Sequence, residues 1–414
     1  MDKFKIRIQD VDLVIWVLLI PLLIVDSING IFYENNISIP FSISQIYKLG
    51  IVALFFIRLL KTPEYILFIL LLLGLMIVPS ILQWAKETIT FNIVIQDLIF
   101  SFKYLTVLIS FFYFKEVLAT VNKSQIPKYF VWIKLSYFIL AISLSLKLIG
   151  IGYPMYTTGN IGSRGFFIAG NEISALLLIL SGLIAYYYWV VNRNIRLFIG
   201  YGLTSFLLGL LISSKTGILG IVLVYMLIVL GTTKFNFKDK RVFKSLVYTL
   251  VVVMVFAIGI SLFIQNSAIM TRYAHFWDKM DFITFILSSR NIYLAEMIPI
   301  FENSYSSLER LVGIGNFRFE ELANQKIEID ILDILFTYGY LGILLFGGLL
   351  ALYFFSILKV IKQRSVFVYA KLSFILFTVL FLLSCLSGHI FNSGIAGVFI
   401  GFVLSLAYYK KIDG

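Results

Sequence analysis

The sequence predicts an all-α polytopic membrane protein with about 12 transmembrane helices, and three observations carry that prediction. Of the 414 residues 60% are hydrophobic and only 14% charged, far from the roughly 25% charged composition of soluble domains. The apolar residues fall into runs close to the ~20 residues needed to cross a bilayer. The cations between the runs alternate from loop to loop, as the positive-inside rule requires. A mean hydropathy of +0.97 leaves no room for a separate globular domain, so residues 1–414 read as a single membrane domain.

Taken in order, the first run, 11–28, follows Lys3, Lys5 and Arg7 and imitates a secretory signal. No small-x-small cleavage site comes after it, so it reads as an uncleaved helix. Spans then fit 43–60, 63–83, 97–117, 127–149, 172–191, 195–212, 217–233 and 245–265, and after a long polar stretch 330–357, 366–386 and 390–409. With the N-terminus in the cytoplasm, the inner loops hold Lys3/Lys5/Arg7, Arg58/Lys61, Lys115/Lys123/Lys128, Arg193/Arg196, Lys234/Lys238/Lys240/Arg241/Lys244, Lys359/Lys362/Arg364 and Lys410/Lys411. The short outer loops hold only Lys86, Arg164 and Lys215, which places both termini in the cytoplasm. Trp16, Trp84, Trp132, Tyr186–Trp189 and Tyr408–Tyr409 fall near predicted helix ends, as interfacial aromatic belts do. The net charge of +12 is spread over loops instead of clustering on a soluble face, which argues against nucleic acid. The single cysteine, Cys385, lies in an apolar run without a disulfide or metal partner and reads as packing.

Between helices 9 and 10 lies the one soluble island, a large extracellular loop over 266–329 that holds most of the mixed charge. Within it Phe282–Leu287 and Ile292–Ile300 carry the pattern of short helices lying on the membrane. The island runs straight into the tenth span, where Asp330, Asp333 and Thr337 share one helical face. A carboxylate entering a bilayer costs about 3 kcal/mol, so such groups face protein or water and serve a purpose.

Several cations depart from the inward rule. Lys48, Lys103 and Lys147 lie in the outer half of their spans, and Arg164, Lys215 and Arg290 stand at the outer boundary. Each can snorkel separately to lipid phosphates. Together they suit a shared pocket for an anionic headgroup, with Arg offering a planar fork and Lys a point charge. The segment Gly159-Asn160-Ile161-Gly162-Ser163-Arg164-Gly165 places an Arg among glycines before a helix that begins at Asn171, which is an anion site in principle and also ordinary turn chemistry.

Ser163-Arg164-Gly165-Phe166-Phe167 with Asn171, Ser213-Ser214-Lys215-Thr216-Gly217, Ser289-Arg290-Asn291, Gly313-Ile314-Gly315-Asn316-Phe317, Glu328-x-Asp330-x-x-Asp333 ending in Gly339-x-x-Gly342, and Gly388-His389 occur in one order. In that order the chain resembles O-antigen polymerases and O-antigen ligases, and more narrowly the capsular and exopolysaccharide polymerases of Gram-positive bacteria, over roughly residues 95–409. The resemblance implies a GT-C-like architecture and an inverting glycosyltransferase. Such an enzyme moves a glycan from undecaprenyl diphosphate to a sugar hydroxyl at the outer face of the bacterial cytoplasmic membrane, without a metal or nucleotide sugar. By motif, Arg164, Lys215 and Arg290 would hold the diphosphate. Lys103, Lys48 and Asn171 are candidate supporting residues from their place at the outer face, and His275, near Trp277 in the island, is a candidate for glycan contact. Ligases place a His before the Gly-x-x-Gly helix, whereas this chain has Glu328 there, which argues for polymerase over ligase. A chain-length regulator is an associated partner of such enzymes.

Displacing a polyprenyl diphosphate needs cations for the departing phosphates and a base for the incoming hydroxyl. The base candidates, in order, are Asp330, Glu328, Asp333 and His389. Asp26, Glu87 and Asp97 also approach the outer face and read as salt-bridge partners or caps. A flippase or secondary transporter is the alternative from another class, but transporters keep charges near the midplane of repeated halves, and these charges crowd one face.

Overall fold

The computed structural model describes residues 8–37, 42–120, 126–232, 281–323, 326–363 and 367–410. These residues form helices joined by short loops, with no strand among them and only the isolated antiparallel bridges Tyr153 with Gly165 and Tyr156 with Ile161. Eight of the described helices are long and apolar enough to cross a membrane, nine if the bent pair at the N-terminal end counts as one.

That pair is α1 (Ile8–Leu19) and α2 (Leu22–Glu34), bent by 48° where a single span is predicted over 11–28. Pro21 stands at the break; its missing N–H and its ring prevent the helix from continuing. Helix α3 (Ile43–Leu59) is capped by Ser42, which accepts from the Gln45 N–H, and its 17 residues fall just short of a full span. Then come α4 (Pro63–Ala85), α5 (Phe91–Thr120), α6 (Ile126–Ser145), α7 (Asn171–Tyr186), α8 (Ile195–Ile212) and α9 (Lys215–Thr232). The predicted span 245–265 lies outside the described residues.

Helix α7 is the pillar: nearly all of its side chains from Ile173 to Tyr186 are buried. A helix hydrophobic all round is either buried or membrane-spanning; α7 is buried, and with its continuation through Tyr187–Val191 it is long and apolar enough to cross a membrane. Helix α16 (Gly397–Ser405) packs against α5 because Gly401 lets the Val107–Phe111 backbone approach, where a Cβ would collide with Ser110. The predicted last span, 390–409, is corrected by this geometry. Its first third, 390–396, belongs to the loop 388–396, which opens with Gly388 (φ 54°) and His389 (φ 57°) outside the helical region.

The island supplies α10 (Phe282–Leu287), α11 (Arg290–Ser304), α12 (Ser307–Val312) and α13 (Asn316–Ala323), and then α14 (Asp330–Lys362) re-enters the bundle, followed by α15 (Ala370–Ser387). Met297, Phe301, Tyr305, Phe319 and Phe336 give the island its own small core against α14. Three polar clips fasten it. Asp97 of α5 accepts the N–H of Phe317 at 2.9 Å and the Ser80 hydroxyl at 2.5 Å, so one membrane carboxylate caps α13 from another helix. Gly313 and Gly315 lie against the backbone of α14, and Gly315 N–H donates to the Thr337 carbonyl at 3.0 Å. Glu309 accepts from Lys86 at 2.8 Å and Gln83 at 2.7 Å while closing a capping box with Ser306. Burial works against its charge, but the hydrogen bonds from Lys86, Ser306 and Gln83 outweigh that and hold the carboxyl down at about 2.

Candidate functional site

The chain crosses itself where α14 begins and α15 ends. A Cβ on Gly388 would collide with the Glu328 backbone, so only glycine permits the crossing. Glu328 (φ 60°) and His389 (φ 57°), neither a glycine, are also left-handed. Such positions cost about 1–3 kcal/mol each and persist where the surroundings over-determine them, a pattern concentrated at functional sites.

Asp330 does much of the determining. Its fully buried carboxylate accepts the N–H groups of His389 at 2.5 Å and of Ile390 and Phe391 at 3.1 Å each. Both oxygens are thereby engaged with backbone, which suits Asp330 to holding the loop and not to removing a proton. Asp333, one turn on and also buried, accepts the Ile327 N–H at 3.2 Å through one oxygen, and its other oxygen has no hydrogen-bond partner among the described residues. Thr337 completes the buried face expected of these three residues.

Around this crossing gather polar groups from four more elements. Arg290, at the start of α11, forms an ion pair with Glu328 at 2.5 Å and reaches the Leu287 and Ser387 carbonyls at 3.3 and 3.5 Å. Asn171, at the start of α7, donates to the same Ser387 carbonyl at 2.7 Å. The His389 Nδ1 lies 3.3 Å from the Asn392 amide nitrogen. Burial, followed by the field of Lys326, pushes its imidazole below the usual histidine range, against the pull of Glu328. Lys326 pairs with Glu320 at 2.7 Å and stands 4.1 Å from the Phe100 ring centre, with Lys103 5.6 Å from the same ring. Glu172, next to Asn171, is within electrostatic reach of Lys103 and Lys48 and faces the backbone of Gly170 and Gly394.

No family model and no curated protein matches the chain. The site is therefore read from its own geometry.

Of the three expected diphosphate ligands, two are brought together. Lys215 donates to the Phe285 carbonyl, lies 3.4 Å from Ser288 Oγ and stands 3.9 Å from the Phe285 ring centre, while Arg290 holds Leu287 on the same short segment. Arg164 is turned away from them, paired with Glu34 at the end of α2 and set over the Tyr153 ring. The expected cup of three cations does not form: Lys215 and Arg290 meet only on the 285–288 segment, and Arg164 stands apart. Lys48 pairs with Asp26 at 2.5 Å, a partner role expected of Asp26, and His275 lies outside the described residues. Glu172, Lys326 and Asn392 were missing from the sequence candidates. Each had a weak signal, lying one to three residues from a candidate: Glu172 beside Asn171, Lys326 two before Glu328 and Asn392 three after His389. Among the described residues no three His, Cys, Asp or Glu side chains are placed to hold a metal ion.

Beneath the polar cluster a cavity of about 460 Å³ opens between α4, α5 and α14. Its wall includes Tyr104, Ile334, Tyr338 and Phe391 at the cluster and Lys115, Ser356 and Tyr408 at the opposite end. Phe391 is the residue whose N–H Asp330 holds, and Tyr338 shares a 2.9 Å hydrogen bond with Ser101. Beyond the kink at Gly339 the α14 wall from Leu341 to Ser356 rises roughly 22 Å at 1.5 Å per residue, most of the thickness of a hydrocarbon core.

Proposed function

We propose that this chain is a GT-C-like membrane glycosyltransferase with twelve spans that polymerises lipid-linked oligosaccharide repeat units at the outer face of the bacterial cytoplasmic membrane. Undecaprenyl diphosphate is the donor carrier and a glycan hydroxyl the acceptor, with capsule or exopolysaccharide as the product. One observation carries the reading: a cluster of Arg290, Lys103, Lys326, Glu328 and His389 stands beside one end of an elongated apolar cavity, whose wall there includes Tyr104, next to Lys103, and Phe391, two residues from His389. An amphiphile with a charged head and a long apolar chain fits that pairing, whereas a soluble ligand uses only half of it.

In this reading the diphosphate draws the Arg290 guanidinium away from Glu328, and Lys215, Lys103 and Lys326 complete the neutralisation. The acceptor oxygen attacks the anomeric carbon from the face opposite the diphosphate. The carbon–oxygen bond to phosphate breaks, its electron pair leaving with the diphosphate, and the hydroxyl proton passes to the freed Glu328 carboxylate. Glu328 is the carboxylate still open to this task, since its side chain is 44% exposed while Asp330 and Asp333 are buried. His389, kept neutral, orients the acceptor from the other side.

The test is purified protein in vesicles with an undecaprenyl-diphosphate oligosaccharide, product length being read on a gel. Long chains are expected from wild type and none from Arg290→Ala at equal membrane content; undiminished length in the variant rejects the assignment. In a strain lacking the protein, single repeat units on the outer leaflet are expected. Long lipid-linked polymer there would instead indicate a ligase, and glycan held on the inner leaflet a flippase.

A further inference from the structure

The far end of the cavity has no part in that chemistry, yet it is built around a charge. Lys115 of α5 directs its ammonium into the cavity wall between three rings, with Tyr65, Phe111 and Tyr408 centred 5.4, 6.0 and 5.2 Å away. The Tyr65 hydroxyl lies 3.3 Å from Nζ, and the Tyr408 hydroxyl shares a 2.8 Å hydrogen bond with Ser356. A lysine that merely snorkels extends its head outward to water and leaves only its stem on apolar surface. Lys115 does the reverse. Among the described residues no carboxylate pairs with it; the nearest in sequence, Glu116, lies on the next position of the helix and points to a different face.

The surroundings of this end match an interface. Lys61 just before α4, Lys359 and Lys362 in the last turns of α14, and Lys410 two residues after Tyr408 are all exposed, and among the described residues of these segments the one exposed carboxylate is Glu64. Above Lys115 the wall is Leu, Phe and Met from α4, α5 and α14.

We infer that Lys115 and its aromatic cage seat the phosphate of an anionic phospholipid from the leaflet at that end, one acyl chain lying in the cavity between α5 and α14. The phosphate completes what the rings leave undone: a cation–π cage stabilises an ammonium but returns no formal charge, and a phosphodiester at the interface does. Ser356, Tyr65 and Tyr408 supply hydroxyls that accept from or donate to the same headgroup. The inference does not rest on the glycosyltransferase reading, because the lipid is read by retention and not by turnover.

The experiment is native mass spectrometry of the full chain after reconstitution in phosphatidylcholine vesicles containing a minor share of phosphatidylglycerol, followed by detergent extraction. Wild type is expected to retain phosphatidylglycerol over phosphatidylcholine by about fivefold relative to their ratio in the vesicle, the factor that one interfacial charge contact provides. Lys115→Gln should abolish the preference and Lys115→Arg should keep it. Leu345→Trp, which fills the cavity without touching the charge, should lower retention of both lipids. Equal retention of the two lipids by wild type, an undiminished preference in Lys115→Gln, unchanged binding in Leu345→Trp, or an added polyprenyl phosphate that displaces phosphatidylglycerol and is itself lost in Lys115→Gln would each overturn the inference. Melting temperature in detergent is followed for every variant, so that a misfolded protein is not scored.

Discussion

Replacing Asp330 by Asn keeps the shape of the side chain and removes what it does. One carboxylate oxygen takes the His389 N–H and the other takes those of Ile390 and Phe391. An amide has a single oxygen, so its best rotamer serves Ile390 and Phe391 and turns an NH₂ group toward the His389 N–H. One buried donor is then unsatisfied, at about 1–3 kcal/mol, and two charge-assisted bonds become neutral ones, at roughly 1 kcal/mol each. The sum, about 3–5 kcal/mol, is of the size of a whole domain's stability margin, but it falls on the loop 388–396, because α14 and α15 keep their apolar contacts. Amide exchange at residues 389–391 should therefore rise by about two to four orders of magnitude while the rest of the bundle stays protected. Transfer should drop by about 10²-fold, the usual effect of a misplacement near 1 Å. Asp330→Asn with native exchange at 389–391 and native product length would refute the argument that this carboxylate holds the site together.

Three further outcomes follow from the same geometry. Arg290→Lys keeps the charge but cannot reach Glu328, Leu287 and Ser387 together, so it should lose most transfer, whereas Arg164→Ala, whose partner is Glu34, should lose far less; gel-resolved product length separates them. His389 takes up its proton less readily folded than unfolded, so the unfolded chain binds more protons below about pH 6.5 and stability falls as pH drops through that window. Wild type should therefore lose more melting temperature than His389→Gln between about pH 7 and 5.5, and equal losses would contradict the burial argument. Glu309, held at about 2, contributes stability that is present above its unfolded value near 4.5 and lost as pH falls through its folded one. Glu309→Gln should flatten that acid limb and raise proteolysis of the 305–312 segment at neutral pH.

Much of the fold could be read in the chain because hydropathy is a local signal: runs such as 63–83 and 195–212 recur as α4 and α8 with small shifts in their ends. The errors came where a single residue or a distant partner overrides the run. Pro21 interrupts the first helix although its neighbours are uniformly apolar. The start of α16 is delayed because Asp330, 59 to 61 positions away, offers the 389–391 backbone a better partner than a helical carbonyl. For the site, the face shared by Asp330, Asp333 and Thr337 followed from helical period alone. The convergence of the cations did not, since Arg164 faces Glu34 130 positions earlier, and no periodicity connects those two residues.

The island and the cavity are joined at one glycine. Gly339 sits in α14 at φ 66°, ψ −165°, a region essentially closed to side chains, and a Cβ there would press on the Leu311 carbonyl and the Gly313 nitrogen. Its neighbours on either side belong to different parts of the machinery: Thr337 accepts Gly315 from the island, while Tyr338 and Leu341 line the cavity. The kink therefore sets the angle between the loop that would roof a headgroup and the wall that would carry its chain. Gly339→Ala must pay about 1–3 kcal/mol of backbone strain and displace Leu311 as well, and the cheapest relief is to straighten α14 and release Gly313–Gly315. Proteolysis and amide exchange should then rise at 311–317 but not at 389–391, where Asp330 is untouched, and product length should collapse. If both segments loosen together, the kink is only a packing detail; if 311–317 alone loosens while long chains persist, the island is dispensable for transfer and the site must be sought on α14 and α15 alone.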